Sequence, residues 1–227
     1  MKNKFFTIST FIYLISILIV LYLYLEYHNA IIFPFHKELL FIAIIVLTLL
    51  YSFMLLKYSN INPKKIIKFN IIFCFILYLI IIISLTLFDN YFKRGVLNIF
   101  SWNKDIFKYY MENLFNIIPF RIIVMLIKDY INGNISLFVL LINILGNFIA
   151  FMPFAFFLPI LFKKQNNFKT FTLTLLVIVL TIELLQFITL SGVLDIDDII
   201  LNTSGACLMF LILKKININK KLNIIYK

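Results

Sequence analysis

Three pairs of polar residues stand at helical spacing inside otherwise apolar sequence: Asn143 with Asn147, Glu183 with Gln186, and Asp198 with Asn202. Residues three or four apart share one face of an α-helix, so each pair forms a polar strip. The carboxylate of Glu183 is the costliest member. An acid in hydrocarbon costs at least ~2.5 kcal/mol on insertion scales, so it normally faces protein, a partner or a water-filled cavity. There it either takes up a proton or pairs with a cation, for which Arg121 is the candidate. Spacing alone also permits general acid and base work by Glu183 with Asp195 or Asp197, which makes Glu183 the one candidate catalytic residue.

The cluster Asp195, Asp197, Asp198 and Asn202 admits three readings. Asp197 as N-cap, with Asp198 in the first turn, suits the positive end of the helix that follows. Several carboxylates with an amide could instead hold a hard divalent cation such as Mg²⁺ or Ca²⁺, although no recognised ion-loop spacing is present. The acids could also line the mouth of a pocket and bind cationic or hydroxyl groups of a ligand. The third reading combined with the first is preferred, so neither a metal nor another cofactor is expected.

The elements that position these residues are membrane spans. The chain has 227 residues, of which 63% are hydrophobic and only 14% charged, a balance no soluble domain shows. Six apolar runs pass the length test for a spanning helix: residues 5–25, 39–56, 66–88, 135–162, 168–190 and 199–213. The expected fold is therefore all-α, a polytopic helical membrane protein of about six transmembrane helices. The first run has a lysine-containing flank like a signal peptide, yet it is too long and lacks a small-residue cleavage site. A retained first span is expected.

Charge sets the orientation. With the N-terminus inside, the inner segments collect Lys2, Lys4, Lys57, Lys64, Lys65, Lys68, Lys163, Lys164, Lys169, Lys214, Lys215 and the C-terminal lysines, with no acid among them. Every acidic residue falls in an outer connection or the outer part of a span. Both termini are expected in the cytoplasm, with residues 214–227 forming a basic tail. At a rise of ~1.5 Å per residue, Asn143 lies roughly 12 Å, Asn147 roughly 18 Å, Glu183 about 10 Å and Gln186 about 6 Å below the outer surface. Asn202 lies about 5 to 8 Å deep, beneath Asp195, Asp197 and Asp198. Overlapping depths point to one shared, outward-facing pocket. Gly146, Ala150, Gly205 and Ala206 are small enough to let the helices that carry it approach closely.

Residues 89–134 form the single long outer connection, mixing aromatics with charges, as suits a layer in the headgroup region or a lid over the pocket. Within it, residues 122–127 are apolar but too short to span. They could dip into the membrane and return where protein or water covers the backbone. Arg121 at their head offers a planar fork for a phosphate or a carboxylate, or snorkels to the headgroups.

The formal charge of +11 comes from lysines spread over separate short loops, which read as anchors at an anionic leaflet and not as a nucleic-acid stripe. Cys74 and Cys207 fall within expected spans, so no disulfide framework is indicated. There is no phosphate-binding or dinucleotide loop and no span histidine to serve a serine nucleophile.

The ordered set Asn116-Ile-Ile-Pro-Phe-Arg121, Asn143-Ile-Leu-Gly146-Asn147 with Pro153, Glu183-Leu-Leu-Gln186, and Asp195-Ile-Asp197-Asp198 with Asn202 and Gly205 resembles the VanZ-like family of bacterial membrane proteins. The resemblance runs over residues 113–213, which divides the chain into a three-span region (1–112), a VanZ-like core (113–213) and the tail (214–227). It implies a multi-span protein of the bacterial cell membrane, linked through the founding member to low-level resistance to teicoplanin, a lipid-bearing glycopeptide. It implies no settled biochemical activity. Many relatives carry an arginine between the Glu-Gln pair and the aspartates, where this chain reads Ser191-Gly192-Val193.

The leading expectation is a pocket formed by Asn143, Asn147, Glu183, Gln186, Asp195, Asp197, Asp198, Asn202 and Arg121. It would engage an amphiphilic envelope molecule such as a lipid-linked wall precursor or a lipoglycopeptide. The alternatives are an enzyme acting on a lipid-linked glycan or phosphate, a purely structural bundle, and a small-solute transporter.

Overall fold

The computed structural model describes residues 10, 13–14, 36–58, 61–88, 102–192 and 194–217. Among these every regular element is helical, apart from one isolated bridge between Asn116 and Asp195. Of the run expected over residues 5–25, only Thr10, Tyr13 and Leu14 are described, and residues 89–101 of the outer connection and 218–227 of the tail fall outside.

The chain divides into two compact units, residues 1–76 with 224–227, and residues 77–223. In the first, α1 (His36–Tyr58) is followed by the start of α2 (Pro63–Ile83). Pro63 takes the first helical position, where its missing N–H costs nothing, and the Asn62 side chain accepts from the Lys64 N–H at 2.9 Å. Polar contacts organise this unit. The Tyr13 ring stacks on Tyr51 at 4.4 Å, the Tyr13 hydroxyl bonds Thr48 at 3.0 Å, and the Ser52 hydroxyl donates to Asn70 at 2.6 Å. In lipid, where apolar helices gain little by leaving their solvent, such bonds and close packing supply the association.

The second unit holds the end of α2 and every later helix among the described residues. Beyond Ile83 the helix widens into a π turn, Ser84–Phe88. Asn103 caps a short α3 (Lys104–Tyr109), its side chain accepting from Ile106 N–H at 2.8 Å, and α3 widens into a second π turn, Tyr110–Leu114. The Trp102 indole donates to the Ile188 carbonyl at 2.7 Å and its ring lies 5.1 Å from Phe187, which ties this segment to the end of a span. The apolar residues 122–127 belong to α4 (Arg121–Ile131), an amphipathic helix of 11 residues.

The run expected as one span over 135–162 is two helices, α5 (Leu137–Ala150) and α6 (Phe154–Leu161), joined by the turn Phe151-Met152-Pro153. Pro153 has no N–H for the helical ladder and disfavours helical backbone at the residue before it, which accounts for the break. Asn167 caps α7 (Phe168–Ile188), with its side-chain oxygen on the Lys169 and Thr170 N–H groups. Last comes α8 (Ile196–Lys215). It starts three residues ahead of the run expected from 199, because a hydropathy count drops the polar first turn that a helix N-terminus favours.

Helix α8 is the centre of this unit and packs against α5, α6 and α7. Its C-terminal half is apolar and closely packed: Phe171 stacks on Phe210 at 4.6 Å, and Phe171, Leu175 and Ala206 are completely buried. Gly205 lies against the α5 backbone so closely that a Cβ there would sit 1.7 Å from the Phe148 carbonyl oxygen. Gly146 differs from what its smallness suggested. A Cβ there would meet only Ile142, at 3.9 Å, so this glycine widens the space in front of Asn143 and Asn147 and brings no helix closer.

Among the described residues four helical segments, Pro63–Leu87, Leu137–Leu161, Phe168–Ile188 and Ile196–Lys215, are long and apolar enough to cross a membrane, and Ala43–Lys57 is a shorter apolar helix. Many large apolar side chains are left exposed, mostly leucines and isoleucines, as on helices whose solvent is lipid. The protein is a helical membrane protein.

Candidate functional site

The site starts from a short β-like junction. The Asn116 N–H donates to the Leu194 carbonyl at 3.0 Å, and the Ile196 N–H donates back to the Asn116 carbonyl at 3.0 Å. The Asn116 side chain is buried and donates through Nδ2 to Asp195 Oδ1 at 2.6 Å. This fastens the segment before α4 to the segment before α8. Asp195, thus held, is the N-cap of α8 and accepts from the Asp197 N–H at 2.9 Å. Burial pushes the Asp195 carboxyl above its ordinary value, against the opposing pull of the Asp197 N–H and the Asn116 amide.

Asp197 was expected to cap α8, and it does not. Its side chain, 1% exposed, reaches across to the start of α4 and accepts from the backbone N–H groups of Phe120, of Ile122 at 2.9 Å and of Ile123 at 3.2 Å. A helix N-terminus presents unpaired N–H groups and a partial positive charge, so a buried carboxylate is the natural partner for it. Phe120, in the left-handed conformation at φ 66°, makes the corner that turns α4 toward this carboxylate. Asp198 turns the other way and accepts from Asn147 Nδ2 of α5. The three aspartates thus serve three different partners: Asn116, the start of α4, and α5. Among the described residues no group of three or more His, Cys, Asp or Glu is arranged to hold a metal ion.

Glu183, 3% exposed, accepts from the Asp195 N–H through Oε2 at 3.3 Å, so it sits directly beneath the start of α8. Gln186, one turn on, donates through Nε2 to the Thr86 carbonyl at 2.8 Å, inside the π turn that ends α2. The wider turn gives up regular helical bonding there, and Gln186 is one of its replacement partners. Asn143 donates to the Val139 carbonyl of its own helix at 2.7 Å. Asn202, 5% exposed, differs from the rest, because its Oδ1 has no hydrogen-bond partner among the described residues.

These groups enclose a cavity of about 350 Å³. Asn143, Asn147, Glu183, Gln186, Asp195, Asp197, Asp198 and Asn202 all line it, as do Ser191 and Gly192. Apolar wall comes from Ile122, Ile123 and Leu126 on α4, Ile142 on α5, and Val179 and Ile182 on α7. The amphipathic α4 therefore forms one side of the cavity, with its first turn pinned by Asp197. Arg121 stands apart. It is exposed at the head of α4 and is not among the lining residues, so it gives the wall no cation.

Sequence reasoning missed three contributors. Asn116 was seen only as the first letter of a motif, although an amide placed just before Pro119 and a helix start is a common backbone clamp. Thr86 contributes a carbonyl that only an irregular helix exposes. Ser191 bonds Thr189 at 2.8 Å and lies in the cavity wall. Gly192 leaves little room at that point, since a Cβ would lie 3.2 Å from the Gln186 side chain.

Chemically, the cavity offers an acidic and amide-lined polar end beside an aliphatic side, which can hold the head and first carbons of an amphiphile. Asp195, Asp197 and Asp198 are each engaged as acceptors by N–H groups of the protein itself.

The family model described as VanZ/LLP1 matches residues 75–218, which takes in the end of α2 as well as every cavity-lining element. A stretch of 132 residues, 58% of this chain, is 33% identical to Protein VanZ of Enterococcus faecium, of which it covers 66%, just under two thirds. No solved structure matches the chain. With the family model matched over more than half of its length, the chain belongs to the VanZ/LLP1 family.

Proposed function

We propose that this VanZ-like protein binds the polar head of an amphiphilic cell-envelope molecule, such as a lipid-linked wall precursor or a lipoglycopeptide, and thereby protects its host against teicoplanin. The observation that carries the reading is the convergence of polar strips from α5, α7 and α8 on one cavity whose remaining wall is aliphatic. Such a division of wall matches a ligand with a polar head and an acyl chain, and its volume falls in the usual range for small-molecule sites, about 300 to 1,000 Å³. The distribution of lysines supports a bacterial cell membrane location with cytoplasmic termini, which turns the cavity toward the wall.

One observation favours a structural reading instead: several of the polar groups bond one another, as in Asn147 with Asp198 and Gln186 with Thr86. Interhelical bonds of this kind hold bundles together at typically ~0.6 kcal/mol each. Glue alone does not account for a carboxylate and an unpaired carbonyl in a cavity wall.

The test is expression in a susceptible Gram-positive host, with inhibitory concentrations of teicoplanin measured beside vancomycin, which lacks the acyl chain. Raised tolerance to teicoplanin alone is expected. Equal tolerance to both drugs, or none from well-expressed protein, contradicts the proposed protection.

A further inference from the structure

We infer that the cavity takes a hydrogen-bond-donating cationic head, a primary ammonium carried on an amphiphile, and discriminates against a phosphate. This rests on the reading of the cavity as a binding site and names the ligand chemistry that its wall accepts. Three observations carry it.

The first is the sign of the wall. Among the described residues it contains four carboxylates, those of Glu183, Asp195, Asp197 and Asp198, and no Lys, Arg or His. A phosphate placed there would meet like charges in a poorly screened site, where repulsion is strongest. An ammonium would meet the opposite.

The second is the use of the amide donors. Asn143, Asn147 and Gln186 each spend a side-chain N–H on an acceptor of the protein itself: the Val139 carbonyl, the Asp198 carboxylate and the Thr86 carbonyl. One donor of each of these amides is therefore committed to the protein itself. The amide oxygens, which a donor needs, are not consumed by those bonds.

The third is Asn202 Oδ1, a carbonyl oxygen in a side chain 95% buried by its 5% exposure, lining the cavity and without a partner among the described residues. A buried acceptor left without a donor keeps its desolvation cost, and a ligand N–H restores the bond. An ammonium has three donors and no acceptor, so it can serve this oxygen and the carboxylates at once. The aliphatic side formed by Ile122, Ile123 and Leu126 then lies against the carbons next to the head.

The experiment uses the full-length protein in nanodiscs of zwitterionic phosphatidylcholine, with dodecylammonium, dodecyl phosphate and dodecyl maltoside as probes of one chain length. Binding is read as a shift in thermal midpoint and by fluorescence of Trp102, the single tryptophan, which is bonded to the end of α7. Dodecylammonium is expected to saturate at a concentration at least tenfold below the other two, with Asn202→Leu and Glu183→Gln each weakening it about tenfold. Saturation by dodecyl phosphate or the maltoside at equal or lower concentration, weakened by the same substitutions, overturns the ammonium assignment and leaves the binding cavity standing. Ammonium binding that neither substitution weakens also overturns it. If no probe saturates, both the assignment and the binding reading fail.

Discussion

The two halves of α8 do different work with the same helix. From Gly205 to Phe210 it is apolar, packed to contact against the α5 backbone and stacked through Phe210 on Phe171. From Asp195 to Asn202 it is polar, and its acids reach out to three separate partners around a cavity that the apolar half does not contain. The C-terminal half has no room for a side chain at Gly205. The N-terminal half spends its polar groups around an open space and, among the described residues, leaves the Asn202 carbonyl without a partner. A helix optimised only for stability would have closed that space, so the contrast separates what the sequence uses to hold the bundle from what it places at the cavity.

The contrast can be broken by substitution, beginning with the largest expected effect. Gly205→Leu forces a side chain into the Phe148 carbonyl, a backbone clash that no rotamer relieves, and should cost on the order of 3 kcal/mol or more. Loss of the monodisperse peak in detergent checks it, and a normal midpoint would mean that α5 and α8 are not in contact at this glycine. Asp197→Ala removes the acceptor for three N–H groups at the start of α4 and should cost roughly 2 to 3 kcal/mol. Hydrogen exchange should rise in residues 120–127 while the C-terminal half of α8 stays protected. Equal loosening of both halves would remove the distinction between them.

Asp195 sharpens the comparison through pH. Its carboxyl is pushed up by burial, so its contribution to stability is fully present below the unfolded value near ~3.9 and is lost as pH rises through the raised folded value. Asp195→Asn keeps a competent cap and removes that loss. The thermal midpoint of the variant relative to wild type should therefore improve as pH is raised from about 4 to about 7. Asn143→Leu should matter least for stability, within about 0.5 kcal/mol, because its amide bonds its own helix and bridges nothing.

Much of this architecture was legible because lipid imposes length and apolarity on a span, and because an acid in such a span needs a reason. The helices were legible from apolar length, and spacing named the polar strips that carry eight of the residues lining the cavity. What stayed hidden was the pairing between segments. Nothing local says that Asp197 serves α4, because N-capping is ordinarily read within one helix and the donor groups here lie 74 to 77 positions away. The π turn that exposes the Thr86 carbonyl leaves no compositional mark, and Arg121 was assigned by charge where geometry sends it outward. Pro153 breaks the helix, while Leu137–Leu161 remains one apolar stretch long enough to span.

The most direct measurement sets inhibitory concentration of teicoplanin against thermal midpoint for wild type, Glu183→Gln, Asn202→Leu and Gly205→Ala at matched expression. Substitutions at the cavity should abolish protection with the midpoint changed by no more than a few degrees, whereas Gly205→Ala should lower both together. If Glu183→Gln and Asn202→Leu keep full protection, or lose it only in step with the midpoint, the N-terminal half of α8 is scaffold like the C-terminal half and the cavity is not the site.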